Sequence, residues 1–378
     1  MKKLLNVSLL ALLAVFALLA FACTGKDGQG SGSAHAASSL AVAVEAKSLD
    51  DYPIAGLGWN VTTDVKPDRP YTLAIVVKNN TNPWMNGTSA GFRASGKSMG
   101  FEALTLAPAK NDNSEDQARV IDDLVNRKVD GIIVHPVDSN GIVPCVERAY
   151  EAGIPVIIQG TAANTKKVLA WYGTQYYDQG KVIAEYIAKA LNYKGNIINL
   201  PGPPEAQNSR ERNQAIHDVF AKYPDIKIVE EQPSNFRRID GMQVTENLLQ
   251  KYQQSEIQAI IGSNDEAAMG ALQAVEAKGY VAGLQNGGIM IAGFDCTEDA
   301  SYAIREGRID VSVNPDPPSL GWLGAAYLIM YLNDGTRPPD QYIPWPDLDK
   351  MEGVIVDKTN INYYIDNIAW WKIPDSAR

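Results

Sequence analysis

From Tyr71 onward, short apolar runs alternate with longer stretches of helical spacing. TLAIVV (Thr72 to Val77) is apolar, β-branched at its end and too short for a helix. A polar loop follows, then a helical pattern from Asn86 to Met99. FEALTL, GIIVHP and IPVIIQ repeat the cycle, with helices expected from about Ser114 to Arg127 and from Ser139 to Ala152; VLAWYG lies just beyond. A second set has strands NIINL from Asn196, IKIVEE from Ile226, AIIGSN from Ala259, IMIAGFD from Ile289 and IDVSVNP from Ile309. Helices near Gln207 to Tyr223, Asp240 to Tyr252 and Glu266 to Lys278 separate them. A last helix spans roughly Ser319 to Leu332, before the Pro-rich RPPDQYIPWPDLD. Continuous apolar strands alternating with helices of about 10–15 residues indicate parallel sheets covered on both faces. Two such sets predict an α/β protein of two doubly wound parallel-sheet domains rather than one large sheet.

The chain before Tyr71 reads differently. Lys2 and Lys3 precede an unbroken apolar run of fourteen residues, Leu9 to Ala22. That run is short for a membrane span, which needs about 20 residues, and it reads as a signal peptide. It ends LLAFAC, and Cys23 directly after Ala22 resembles the lipidated first residue of a bacterial lipoprotein, although Ala20 stands where a large aliphatic residue is usual. The Gly-, Ser- and Ala-rich TGKDGQGSGSAHAASS that follows has too little apolar surface to fold and reads as a flexible tether.

Composition narrows the function. An apolar fraction of 45% over 378 residues suits two globular domains. The formal net charge of −10, without a basic stripe, argues against nucleic-acid binding. Cys145 and Cys296 are two thiols far apart in sequence, better read as separate buried residues than as a disulfide framework. With three histidines and no metal motif, neither a metal site nor a cofactor is expected.

In open α/β sheets ligands bind outside the carboxyl ends of the strands. Asn82, Trp84 and Met85 follow the first strand; Gln159 ends the fourth; Thr174 follows Tyr172. In the second set Asn208 and Arg212 follow NIINL, Phe236 follows IKIVEE, Asn264 follows AIIGS, and Asp295 and Asn314 end the last two strands. Amides, a carboxylate, a forked cation and flat rings together fit a neutral polyhydroxyl ligand. Each also has a structural reading: Asn264 as a helix cap, Asp265 as its support, Asp295 as a turn residue, Trp84 as a core ring, Arg212 as a solvated charge.

NNTNPWMNG, DGIIVHPVDSNGI, AGIPVI, SRERN, GSNDEAAMGAL and IAGFDCTEDA occur in that order between about Tyr71 and Tyr364. As a set they resemble the ribose/galactose group of periplasmic sugar-binding proteins of ABC transporters, the type I periplasmic binding proteins. The resemblance implies two lobes joined by three crossovers near Thr174, Asn314 and Trp345, closing on a ligand between them. The lobes would be 68–174 with 315–344, and 175–314 with 345–378, after a signal peptide 1–22 and a tether 23–67. It places sugar contacts on Asn82, Trp84, Arg212, Phe236, Asn264, Asp295 and Asn314, with Thr174 at a small hydroxyl position and Asn208 at one used by some members. Two departures, Gln159-Gly160 for an aspartate often followed by arginine and Met85 for a second aromatic, argue against ribose or glucose. The implied partners are a monosaccharide or related polyol and a membrane permease, for a monomer in the periplasm or on the outer face of the cytoplasmic membrane.

Three rivals remain to be weighed. An enzyme lacks support, since no nucleophile elbow, P-loop or metal motif occurs; GTSAG (Gly87 to Gly91) falls inside an expected helix. A sugar-responsive repressor conflicts with the leader and the missing DNA-binding headpiece. A sugar or autoinducer receptor for a membrane sensor would use the same closing lobes.

Overall fold

The computed structural model describes residues 41–43, 65–173, 175–338, 341–344, 354–367 and 369–372. Cys23 and Thr174 lie outside the described residues.

The first sheet contains β1 (Ala41–Ala43), β2 (Thr72–Val76), β3 (Glu102–Pro108), β4 (Gly131–Val134), β5 (Val156–Gln159), β6 (Ala170–Gly173) and β12 (Tyr342–Pro344), in the order β1-β3-β2-β4-β5-β6-β12. The second contains β7 (Gly195–Leu200), β8 (Ile226–Glu231), β9 (Ala259–Gly262), β10 (Met290–Phe294), β11 (Val311–Val313) and β13 (Ile355–Asp357), in the order β13-β11-β10-β9-β7-β8. Both are parallel apart from antiparallel edges: β1 lies against β3 with Ala41 opposite Pro108, and β13 lies against β11 with Val311 opposite Asp357. In each sheet the strand order reverses about its first central strand, β2 or β7. A reversal sends the flanking connections to opposite faces and leaves a crevice beyond the strand's carboxyl end.

The helices are α1 (Pro83–Met99), α2 (Ser114–Asn126), α3 (Val143–Glu151), α4 (Tyr176–Ala190), α5 (Gln207–Phe220), α6 (Arg238–Leu248), α7 (Asp265–Ala277), α8 (Glu298–Glu306), α9 (Pro317–Asp334) and α10 (Ile361–Asn367). The chain passes from the first sheet to the second after β6, returns after β11 through α9, and passes back between β12 and β13. These are two α/β domains joined by three crossovers. Leu73 and Ile75 are buried on one face of β2 and Ala74 and Val76 on the other, and Ile198 and Ile197 divide the same way on β7, which explains why the strands read as continuous apolar runs.

Several elements differ from the sequence expectation. Helix α1 begins at Pro83, three residues early: Asn82 Oδ1 accepts the Trp84 N–H at 2.8 Å and Pro83 needs no donor there. Helix α3 begins at Val143, four residues late, because Asp138 Oδ1 takes the N–H groups of Asn140 and Gly141 in a turn first. Helices α4, α8 and α10 and strands β1, β12 and β13 were not expected. In α4 the spacing was present: Ile183, Ala184, Ile187 and Ala188 share its buried face. The GTSAG letters are explained by packing. A Cβ at Gly91 would lie 2.0 Å from the Pro318 carbonyl oxygen, and one at Gly321 would lie 2.2 Å from that of Thr88. Glycine at both points lets α1 and α9 meet backbone to backbone, and Ser89 is fully buried.

Candidate ligand-binding cleft

Beyond the carboxyl ends of both sheets lies a cavity of about 840 Å³, within the range of about 300–1,000 Å³ usual for small-molecule sites. From the first domain, Asn82, Trp84 and Met85 line it at the start of α1. Trp84 is 6% exposed and packs edge-on to His135, with ring centroids 4.9 Å apart. From the second domain, Asn208 and Arg212 reach it from α5, Phe236 from the loop before α6, Asn264 from the start of α7 and Asp295 from the end of β10. Trp84 and Phe236 thus bound one cavity from opposite sides.

Arg212 is buried and held rigidly. Its Nε and one terminal nitrogen donate to Gln179 Oε1 at 3.1 and 2.8 Å, and the other donates to the Ser263 carbonyl at 2.9 Å. The guanidinium lies over the Phe294 ring, 4.2 Å from its centroid, and over Tyr176 at 5.3 Å. Burial lowers its proton affinity, and nearby Asp295 opposes that. Burial also raises the Asp295 carboxyl well above the usual range, with Arg212 pulling it back. Asp295 adopts φ 109°, a left-handed conformation that a non-glycine residue holds only when its surroundings enforce it.

Phe236 sits at φ 59°, and its ring covers Gly202, where a Cβ would lie 2.3 Å from Cζ. Asn264 Oδ1 accepts from Ala267 N at 3.0 Å and caps α7, while Nδ2 donates to the Phe236 carbonyl at 3.2 Å. Asp265 turns inward, fully buried, accepting from Ser312 Oγ and Thr297 N at 2.7 Å each. Asn208 Oδ1 is buried without a hydrogen-bond partner among the described residues.

Two expected contacts do not reach the cavity. Gln159 is fully buried, its amide spent on Thr88 Oγ of α1 at 3.2 Å, so it ties β5 to that helix. Asn314 is also buried and accepts the Asp316 N–H at 3.1 Å; its neighbour Pro315 lines the cavity instead. Of the aromatic residues near the first crossing, Tyr176 lines the cavity, Tyr172 packs in the core against Tyr327, and exposed Tyr177 donates to Asp218 at 2.8 Å. Met85 lines the cavity as expected.

Lys78 and His135 were missed. Lys78 Nζ donates to Thr161 Oγ at 2.8 Å, and burial pulls its pKa down to about 8. His135 is 2% exposed, burial and the Lys78 charge hold it well below its usual pKa, and neither ring nitrogen has a partner among the described residues. Both follow the ends of β2 and β4 closely, so the strand-end rule that picked out Asn82 applied to them too. Gly160 makes room for the imidazole: it adopts φ 65°, and a Cβ there would lie 2.4 Å from His135 Cε1. The thiols of Cys145 and Cys296 are buried and separate, away from the cavity.

Comparison with known proteins places this geometry. A periplasmic binding protein domain profile matches residues 73–336. The chain is 29% identical over 265 residues to the ribose import binding protein of Bacillus subtilis, covering 70% of this chain and 83% of that one. A periplasmic solute-binding protein of Actinobacillus succinogenes with bound D-allose superposes with a TM-score of 0.70 at 26% identity, covering 78% of this chain and all of the other. A solute-binding protein of Bacillus halodurans with bound myo-inositol superposes with a TM-score of 0.68 at 26% identity, covering 79% and 99%. These relatives are solute-binding proteins, not enzymes. With its profile match over most of the folded chain and its two parallel-sheet domains, the chain belongs to the periplasmic binding protein family, type I.

Proposed function

We propose that this chain is the solute-binding component of an ABC sugar importer and captures a monosaccharide or related polyol between its two domains. The observation that carries the reading is the shared cavity, in which Trp84 and Phe236 offer flat faces while Arg212, Asp295 and Asn208 offer donors and acceptors. Rings stack on the apolar faces of a sugar, and the polar groups meet its hydroxyls. Each neutral hydrogen bond nets about 0.5–1.5 kcal/mol, so several closing on one small molecule support micromolar binding, about −8 kcal/mol. A ligand that touches both domains stabilises the closed form, because only that form makes all the contacts.

The closed form would present a composite surface to a membrane permease. The apolar leader and Cys23 support export and lipid anchoring on the outer face of the membrane, with the chain acting as a monomer. Thermal-shift screening against monosaccharides, cyclitols and linear polyols tests the assignment. A true ligand at a hundredfold excess over its Kd adds about 2.7 kcal/mol of stability. A panel in which no carbohydrate or polyol raises the unfolding temperature would overturn it. Loss of growth on the identified ligand after deletion of the chain separates uptake from signalling.

A further inference from the structure

Trp370 lies beyond the segment 73–336 that matches the family profile. Its ring is 4% exposed and packs in the second domain's core with Ile361 and Tyr364. Its indole Nε1 donates to the Asp295 carbonyl at 2.7 Å. The opposite edge of the ring faces the first domain. A Cβ on Gly87 would lie 2.8 Å from Trp370 Cζ3 and 3.0 Å from Pro317 Cγ. One side chain therefore meets both the cleft carboxylate's own backbone and the helix that carries Trp84 and Met85.

We infer that Trp370 is a positioning residue for the cleft: it fixes the backbone of Asp295 and forms the stop against which Gly87 and α1 settle when the domains close. The inference rests on the reading of the cavity as a closing ligand site. Asp295 at φ 109° needs restraint on both sides. Its N–H is held by the Val313 carbonyl at 2.7 Å and its own carbonyl by Trp370, so the carboxyl between them is aimed rather than free to swing. Against the ring, only glycine allows the observed approach. Packed interiors yield little, so added bulk at position 87 displaces the whole helix rather than compressing the contact. Such a displacement carries Trp84 and Met85 with it, because they lie on the same helix within a turn of Gly87.

The experiment uses the full chain with Cys23→Ser, spin-labelled at Glu115→Cys on α2 and Gln243→Cys on α6, with D-ribose, D-allose and myo-inositol as probes. Both label sites are exposed, whereas Cys145 and Cys296 are buried. Gly87→Val should lengthen the label distance measured by pulsed electron resonance and weaken binding of any probe the parent binds by about tenfold. Adding Trp370→Ala removes the ring that the valine meets and should restore the distance but not the affinity, because it also removes the donor to Asp295. Gly87→Ala provides the smaller step if the valine variant does not fold. Trp370→Phe keeps a ring but loses the donor, and should weaken binding several-fold without lengthening the distance. Unchanged distances in both Gly87 variants, or no recovery of the distance on adding Trp370→Ala, would overturn the inference. If the parent binds none of the probes, the ligand reading fails for them, while the distances still decide the role of Trp370.

Discussion

The side-chain amide of Asn264 donates to the main-chain carbonyl of Phe236 at 3.2 Å while its oxygen caps helix α7. One residue thus fixes both a helix start and the loop that carries a cleft aromatic. Asn264→Ala should lose the cap, worth about 0.5–2 kcal/mol, and release Phe236 from its φ 59° conformation. Urea unfolding should show the stability loss, and calorimetry should show ligand affinity reduced by about tenfold or more. Unchanged affinity would remove Asn264 from the site.

Arg212 is aimed before ligand arrives, since Gln179 and Ser263 hold three of its donors and two rings cover its face. Arg212→Lys keeps the charge and loses the planar fork. Binding should fall by about 1.5–3 kcal/mol, the range for hydrogen bonds to charged groups, and titration calorimetry measures it. The same variant leaves Gln179 unpaired, so a lower unfolding temperature should accompany the loss.

Gly160 is fitted to His135. Gly160→Ala would combine a left-handed φ with a Cβ 2.4 Å from the imidazole and 2.9 Å from Tyr176 Oη. The backbone strain alone costs about 1–2 kcal/mol. The variant should unfold at lower temperature and bind ligand less well, because the displaced imidazole lines the cavity. A crystal structure of Gly160→Ala with His135 unmoved would contradict this.

Burial raises the carboxyls of Asp265 and Asp316 to about 7 and that of Asp310 to about 6, from 3.8 in each case. A group whose folded pKa lies above its unfolded one binds more protons in the folded state. Its contribution is complete below pH about 4 and is lost as pH rises through 6 to 7. Half-buried, ion-paired Glu147, Glu185 and Glu230 shift the opposite way, but solvent screens them. Unfolding free energy should therefore be lower at pH 8 than at pH 5.5, by at most about 1.4 kcal/mol per pH unit for each carboxyl. Asp265→Asn can still accept from Thr297 N and donate to Ser312 Oγ, so it should flatten the profile. Equal slopes in parent and variant would exclude Asp265 as the source.

The alternation of strands and helices was legible because burial on both faces forces continuous apolar strands, and that pattern is local. Where local spacing was overridden the boundaries moved: Asp138 delayed α3, and Asn82 with Pro83 advanced α1. The edge strands were not legible, because each is three residues long and takes its identity from a partner distant in sequence.

The cleft divides along the same line. The sequence alone determined which residues stand at strand ends, and so proposed Trp84, Arg212, Phe236 and Asp295 together. Only the tertiary structure decided which of those side chains face the cavity. Gln159 turns into the core to meet Thr88, whereas Lys78 and His135 are buried at the cavity wall. A side chain's direction depends on the helix packed above it, and that helix's height depends on contacts such as Gly91 against Pro318, far apart in sequence. Periodicity records what each residue is buried by on average; it carries no information about which distant backbone arrives to do the burying.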